Sequence, residues 1–252
     1  IRHNHYINLA NGEFVSILFG DDYYLPNKIE TQVAAFLDLD ESWGVVYGPT
    51  LIEHKPDNKL AQDDGLQKSG HVLEALLNNW HNGGIMKCVV PLTRTKCYKK
   101  YLNYEDIFTE GEGVFLRIAI DYKFFYQNEP LTVMTEHEHN YGKSVISNIK
   151  NHDLVLSKMQ SIQSLTQSVQ TLIKSHRSVG LFNASWHCIR ANLNSYEAKS
   201  LLIQAIKIYP LILLKAKTWL GVILILLPTS VLRIINKLIN NIFKTSPFAI
   251  ID

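Results

Sequence analysis

The spacing of apolar residues changes near residue 150, and this change limits the folds open to the 252-residue chain. Before it, short apolar runs such as residues 14–19 and 45–48 alternate with stretches in which apolar residues recur every three or four positions. After it, only the helical spacing remains. We therefore expect an α/β layered domain over residues 1–150 and an all-α region over residues 151–252.

In the first region, residues 14–19 predict a buried strand, and a helix starts at Pro26. The core-facing residues expected on that helix are Ile29, Val33, Phe36 and Leu37. Residues 53–71 are polar and predict a loop. Further strands are expected at residues 45–48, 85–92, 124–126 and 131–134, and further helices at 72–80, 95–101 and 113–122.

The second region predicts helices throughout. A long helix with a narrow apolar seam, from Val155 to Leu172, is expected to break at Gly180 and Asn183. Helices then follow over residues 185–193 and 196–209, and after Pro210 and Pro228.

Charge is divided unevenly between the two regions. The first 150 residues carry 14 basic and 20 acidic side chains, and residues 151–252 carry 11 basic and three acidic ones. An apolar content of 46% excludes an intrinsically disordered chain. The three cysteines form no C-x-x-C pair, so neither a disulfide framework nor a zinc site is expected, and a reducing compartment is the simplest reading.

Asp21 and Asp22 follow the predicted buried strand at 14–19. Adjacent carboxylates at the end of such a strand favour a bound cation, and hard oxygen ligands suit Mg²⁺ or Mn²⁺. A solvated turn is the alternative interpretation, since Asp is a common turn residue.

The surrounding residues carry a more specific pattern. They read HNHYI at 3–7, ANGEF at 10–14, FGDD at 19–22 and PNKIETQ at 26–32. This run resembles the middle of a family-2 glycosyltransferase of the GT-A, Rossmann-like fold, whose pattern is R-N-x-G-I, A-x-G-E-(Y/F)-I, D-x-D-D and P-x-K-(L/I)-E-x-Q. Phe19 occupies the position at which the family usually has the first acidic residue of its metal site. The two strand–helix units that precede this run in the family are missing, so we expect a fragment without its true N-terminus.

A second stretch extends the resemblance to about residue 145. It includes TEGEGVFLRIA at 109–119, NEPL at 128–131 and MTEH at 134–137. The family pattern is close to (E-D)-x-D-L-x-L-R-(L/I)-A, then (D/E)-E-P-L and Y-R-x-H.

The resemblance implies roles for individual residues. Asp21 and Asp22 would hold Mg²⁺ or Mn²⁺ on a nucleotide-sugar diphosphate, with His137 as a metal or phosphate ligand. The catalytic base would be Glu110, which keeps the register, or Glu112, since Gly111 replaces the second acid of the pair; acids at a helix start are also explained by the helix dipole alone. Lys28 would lie near the diphosphate loop, with an exposed helix lysine as the simpler expectation.

The last fifty residues predict contact with a membrane surface. Between Glu197 and Asp252 there is no acidic residue, and the predicted helix after Pro228 has apolar residues on one face and Lys or Arg elsewhere. A helical cap on the catalytic domain or an oligomer contact is the alternative. Aromatic and basic residues are not interleaved, so nucleic acid is not expected as a partner.

These observations predict a cytoplasmic enzyme, peripheral on the inner face of a membrane. The resemblance implies that it moves a sugar from a nucleotide-diphosphate donor to a saccharide or lipid-linked acceptor, with inversion, in polysaccharide biosynthesis. Two other classes stay open: a non-catalytic membrane-associated scaffold with a degenerate transferase site, and a metal-dependent phosphohydrolase that uses the same aspartates.

Overall fold

The structure, a computed structural model, describes residues 3–80, 86–107, 111, 113–137, 145–191 and 195–243. The chain divides into two compact units, Ile1–Lys143 and Ser144–Asp252. The first is mixed α/β and the second is helical, so the expected fold class is confirmed.

Unit 1 consists of short strands and short helices. Its strands are β1 (Phe14–Val15), β2 (Tyr23–Tyr24), β3 (Trp43–Tyr47), β4 (Thr50–His54), β5 (Lys59–Asp63), β6 (Leu92–Arg94), β7 (Lys123–Tyr126) and β8 (Thr132–Glu136). Its helices are α1 (His3–Leu9), α2 (Lys28–Leu37), α3 (Leu73–Trp80), α4 (Thr95–Lys100) and α5 (Gly113–Asp121).

These strands form two four-stranded mixed sheets. The first has the order β1-β6-β3-β7 and the second the order β2-β8-β4-β5. Each sheet contains one parallel pair, β3 with β7 and β4 with β8, and its other pairs are antiparallel. Because β3 leads to β4 and β7 leads to β8, two neighbouring chain segments pass in parallel from the first sheet to the second.

Helix α2 packs on the first sheet, but with a different face from the one predicted. Phe36 is buried against Val46 and Leu92, and Phe14 packs on its ring. Lys28 and Gln32 are also buried, whereas Ile29 and Leu37 are exposed. The prediction of Ile29 and Leu37 as core residues was therefore wrong.

Three other predictions for unit 1 need correction. The strand expected at 14–19 extends only over β1 and is half-buried. The polar residues expected as a loop, 53–71, include the end of β4 and the whole of the largely exposed strand β5, which form a hairpin. Of the described residues in the apolar run at 85–92, only Leu92 lies in a strand, β6, whereas Met86, Val89 and Val90 are buried in a turn ahead of it.

Six other elements predicted for unit 1 are confirmed. Strands β3, β7 and β8 and helices α3, α4 and α5 lie where the sequence predicts them. Helix α5 is buried over all of the residues from Gly113 to Ala119.

Unit 2 contains α6 (Val145–Met159), α7 (Gln167–Arg190), α8 (Ser195–Ile208), a 3₁₀ helix (Pro210–Leu214), α9 (Ala216–Leu226) and α10 (Thr229–Phe243). The helix break lies between Met159 and Gln167, where Thr166 caps α7 by accepting a hydrogen bond from the Val169 backbone N–H at 3.3 Å. The predicted break at Gly180 and Asn183 was wrong, because α7 continues through both residues.

Small residues explain this continuity. Ser178, Gly180, Ala184 and Ser185 are buried on α7, and the hydroxyls of Ser178 and Ser185 donate to the α8 carbonyls of Ala205 and Ala198. None of the helices that the structure describes has the length and apolar content that a membrane crossing requires.

Candidate active site

The two aspartates lie on an irregular segment, Ser16–Asp22, which joins β1 to β2 and which we call the acid loop. It ends in a turn in which the Asp22 backbone N–H donates to the Phe19 carbonyl at 3.3 Å. The pairing of Tyr23 with Val133 then aligns β2 against β8. This pairing brings the aspartates beside the C-terminal end of β8.

Asp22 is anchored to β8. Its Oδ1 accepts a hydrogen bond from the Thr135 backbone N–H at 2.9 Å. Burial raises the pKa of the Asp22 carboxyl, and the charge of Asp21 acts in the same direction, whereas the Thr135 hydrogen bond and His137 oppose them. A cation at this position would lower the cost of keeping both carboxylates ionised.

Asp21 meets the histidine that follows β8. His137 Nε2 lies 3.2 Å from Asp21 Oδ2, and both side chains are partly exposed to solvent. The sequence separates these residues by 116 positions. The fold thus brings together Asp21, Asp22 and His137, the three residues that the sequence predicts as metal ligands.

These side chains do not enclose a metal ion on their own. Within the described ranges, no three His, Cys, Asp or Glu side chains converge as a complete metal site. Mg²⁺ in phosphate-transferring sites is commonly held by one or two carboxylates together with substrate phosphates and water. The paired aspartates suit that open kind of site, since Asp21 is partly exposed and Asp22 engages one carboxylate oxygen with Thr135.

A buried polar network supports the acid loop from behind. Ser16 Oγ donates to the Pro91 carbonyl at 2.8 Å and lies 2.9 Å from the Tyr24 hydroxyl. That hydroxyl donates to the Ile17 carbonyl at 2.7 Å. These hydrogen bonds therefore hold the start of the acid loop, Ser16 and Ile17, against Tyr24, which follows the loop in β2.

Lys28 is part of this network, so the expectation of an exposed helix lysine was wrong. Its Nζ donates to Ser16 Oγ at 3.0 Å and to Gln32 Oε1 at 2.7 Å, and it lies 4.2 Å from the centroid of the Tyr24 ring. Burial lowers the pKa of Lys28 to about 8. Sequence reasoning missed this network, although the four-residue spacing of Lys28 and Gln32 places both on one face of α2.

The two stretches of the sequence resemblance meet at a further contact. The Asn4 side chain of α1 accepts from the Asn103 backbone N–H and donates to the Asn103 carbonyl, both at 2.8 Å. Arg117 is buried, donates to the Leu102 carbonyl at 2.6 Å and covers the Tyr104 ring at 3.8 Å. Arg117 therefore orders the chain ahead of α5.

The predicted bases, Glu110 and Glu112, lie outside the described residues. Between them, Gly111 has a φ of +54°, a left-handed conformation that glycine adopts at low cost.

Comparison with known proteins adds evidence on the fold. No protein-family profile and no curated protein matches the chain. Among solved structures, it is similar to S. aureus TarS 1–349, a family-2 glycosyltransferase. The match to the UDP-GlcNAc complex of TarS has a TM-score of 0.44 and 14% sequence identity, and it covers 82% of this chain and 68% of that one. The match to the UDP complex has a TM-score of 0.50 and 14% sequence identity, and it covers 82% of this chain and 59% of that one.

The second likeness shows that the chain has a glycosyltransferase-like fold. Here the chain spans less than two thirds of the TarS chain that it matches.

Proposed function

We propose that this chain is a glycosyltransferase that moves a sugar from a nucleotide-diphosphate donor to a saccharide or lipid-linked acceptor, with inversion and with a divalent metal. The observation that carries the proposal is the meeting of Asp21, Asp22 and His137 beside β8. The sequence resemblance and the UDP and UDP-GlcNAc bound to TarS support a nucleotide sugar as the donor.

In this proposal Asp21 and Asp22 hold Mg²⁺ or Mn²⁺, and His137 ligates the metal or the donor phosphates. A divalent cation bound there would neutralise the negative charge that develops on the departing nucleoside diphosphate. Ser16, Tyr24 and Lys28 keep the acid loop in place before the donor arrives, so that the carboxylates need little rearrangement.

The transfer itself needs a base for the acceptor. Glu110, or Glu112, takes the proton from the acceptor hydroxyl while the hydroxyl oxygen forms a bond to the anomeric carbon. The bond from that carbon to the donor diphosphate breaks, and its electrons leave with the nucleoside diphosphate. Attack from the opposite face inverts the configuration.

Calorimetry with UDP, in the presence of Mn²⁺ and with the metal chelated, tests the donor site. We expect UDP to bind only with Mn²⁺, and Asp21→Asn and Asp22→Asn to weaken binding at least about tenfold. Asp57→Asn is the matched control, because Asp57 lies on the exposed β4–β5 turn. Metal-independent binding, or equal affinity in all three variants, contradicts the proposed site.

Product analysis with nucleotide-sugar donors separates this proposal from the two alternatives. A transferase gives nucleoside diphosphate and a glycosylated acceptor. UDP binding without turnover over a panel of donors and acceptors identifies a scaffold, and free phosphate released from simple esters identifies a phosphohydrolase.

We also propose that the acceptor is met at the inner face of a membrane, where a lipid-linked saccharide is displayed. The cationic, acid-free sequence between Glu197 and Asp252 supports this location.

A further inference from the structure

Helix α10 presents three large apolar side chains to solvent and buries a polar one, while Leu232 and Ile235 pack on the core of unit 2. Asn236 is 1% exposed, whereas Ile234 is 61% and Leu238 is 55% exposed. An amphipathic helix that only caps a protein core has the opposite arrangement, with the apolar stripe inward.

Hydrogen bonds fix this rotation of α10. Asn236 Oδ1 accepts from Arg190 Nη1 at 2.7 Å, and Asn236 Nδ2 donates to the Ile189 carbonyl at 2.8 Å. Leu232, one turn earlier, is buried in the core of unit 2. Turning the apolar stripe inward would leave these buried polar groups without partners, which is costly.

Helix α9 continues the exposed apolar surface towards α10. Its exposed large apolar side chains are Trp219, Leu220, Ile223 and Leu226, and Leu226 is 73% exposed. Only Leu227 and Pro228 separate α9 from α10. We call the exposed apolar residues of both helices, these four together with Val231, Ile234 and Leu238, the α9–α10 surface.

The charged residues of α9 and α10 are all positive. Lys215 precedes α9, and Arg233 and Lys237 are exposed on α10 within a turn of Val231, Ile234 and Leu238. The sequence from 198 to 251 contains no Asp or Glu. Apolar residues flanked only by cations complement an interface of acyl chains and anionic headgroups.

We infer that the α9–α10 surface docks on a bilayer that contains anionic lipid. The apolar side chains enter the boundary between headgroups and acyl chains, and Lys215, Arg233 and Lys237 contact the phosphates. This surface belongs to unit 2 and the aspartates belong to unit 1, so membrane binding can be tested independently of the proposed transfer reaction.

Vesicle co-sedimentation of the whole chain tests the inference. We expect binding to vesicles of phosphatidylcholine and phosphatidylglycerol, much weaker binding to phosphatidylcholine alone, and a loss of affinity as salt rises. Arg233→Gln with Lys237→Gln should weaken binding about 25-fold, from about fivefold for each cation at the surface.

Apolar variants test the other half of the surface. Ile223→Ser with Ile234→Ser should weaken binding to the anionic vesicles at least about tenfold, because both side chains lose apolar burial. Both positions are exposed, so circular dichroism should show an unchanged fold. Leu37→Ser and Lys59→Gln, at highly exposed positions of unit 1, are the matched controls and should bind like the wild type.

Two results overturn the inference. One is equal binding of all variants, or equal binding to neutral and anionic vesicles. The other is a concentration-dependent dimer that is disrupted by Ile223→Ser with Ile234→Ser, together with no vesicle binding, because this would identify a second copy of the chain as the occupant.

Discussion

Lys28 places an amine in the interior of unit 1, where two neutral side-chain oxygens, those of Ser16 and Gln32, hold its Nζ. The side chain is fully buried. Desolvation penalises the ammonium form more than the neutral amine, so burial lowers the pKa to about 8 from its ordinary value of 10.5. The residue that connects α2 to the start of the acid loop is thus also sensitive to pH.

This pKa predicts a pH dependence of stability. Between about pH 8 and 10.5 the unfolded chain keeps a proton on Lys28 that the folded chain releases, so the free energy of unfolding rises with pH, by at most about 1.4 kcal/mol per pH unit. Below about pH 8 the contribution of Lys28 to the free energy of unfolding does not depend on pH. Urea unfolding between about pH 7 and 9.5 measures it as the difference between the wild type and Lys28→Met, which should widen in favour of the wild type as pH rises.

Lys59→Met is the control for this titration, since the Lys59 side chain is 80% exposed. Its stability should run parallel to that of the wild type over the same pH range. If the Lys28→Met curve also runs parallel, Lys28 does not titrate in the folded state as described.

At the scale of elements, Gly48 lets the two segments that connect the sheets pass each other. It follows β3, and the Tyr47 carbonyl accepts from the Gln127 backbone N–H at 2.8 Å. A Cβ at Gly48 would lie 2.3 Å from the Gln127 carbonyl oxygen and 3.2 Å from that of Glu129. These are backbone atoms of the connection from β7 to β8, and they cannot move aside as a flexible side chain can.

Gly48→Ala should therefore lower the free energy of unfolding by about 2 kcal/mol or more. Urea unfolding of the whole chain measures the loss. Gly20→Ala is the matched control, because nothing lies within 4 Å of a Cβ at Gly20, and its stability should stay within about 0.5 kcal/mol of the wild type. Equal stability of the two variants would show that the two connections do not pack as closely as the structure has them.

The elements that sequence patterns predicted well are those whose pattern is local. Helix α5 is an apolar run that is buried almost throughout, and β3, β7 and β8 are rich in β-branched or aromatic residues. The face of α2 was mispredicted because Ser16, which lies outside the helix, accepts a hydrogen bond from Lys28 Nζ and so makes a buried lysine tolerable. Hairpin β4–β5 was missed because its second strand is largely exposed and carries no apolar alternation.

The candidate site was predictable only in part for the same reason. Asp21 and Asp22 stand together in the sequence, and the resemblance adds His137. The support from Thr135 and from the Ser16–Tyr24–Lys28 network depends on strand pairing and helix packing, which the order of residues alone does not reveal. Gly180 was expected to break α7 because glycine has a weak helix propensity. This part of α7 instead packs against α8 through small residues, and that packing outweighs the local propensity.

At the scale of the whole molecule, the chain has two compact units with different compositions and different proposed partners. Unit 1 carries the acid loop, and unit 2 carries the α9–α10 surface and a core of its own. A ligand stabilises the folded state to which it binds by an amount set by its concentration relative to its dissociation constant. Ligand-induced protection, resolved along the chain, therefore shows which unit binds which partner.

Hydrogen exchange followed by mass spectrometry can locate the binding of the donor nucleotide in this way. UDP with Mn²⁺, at about a hundredfold its dissociation constant, should stabilise unit 1 by about 2.7 kcal/mol and slow exchange of its most protected amides, in β3 and β8, by about 100-fold. Removing Mn²⁺ with a chelator should abolish the protection, as should Asp22→Asn, whereas Asp57→Asn should keep it. Protection that is confined to α6–α10, or that persists without the metal, would place the nucleotide away from the acid loop.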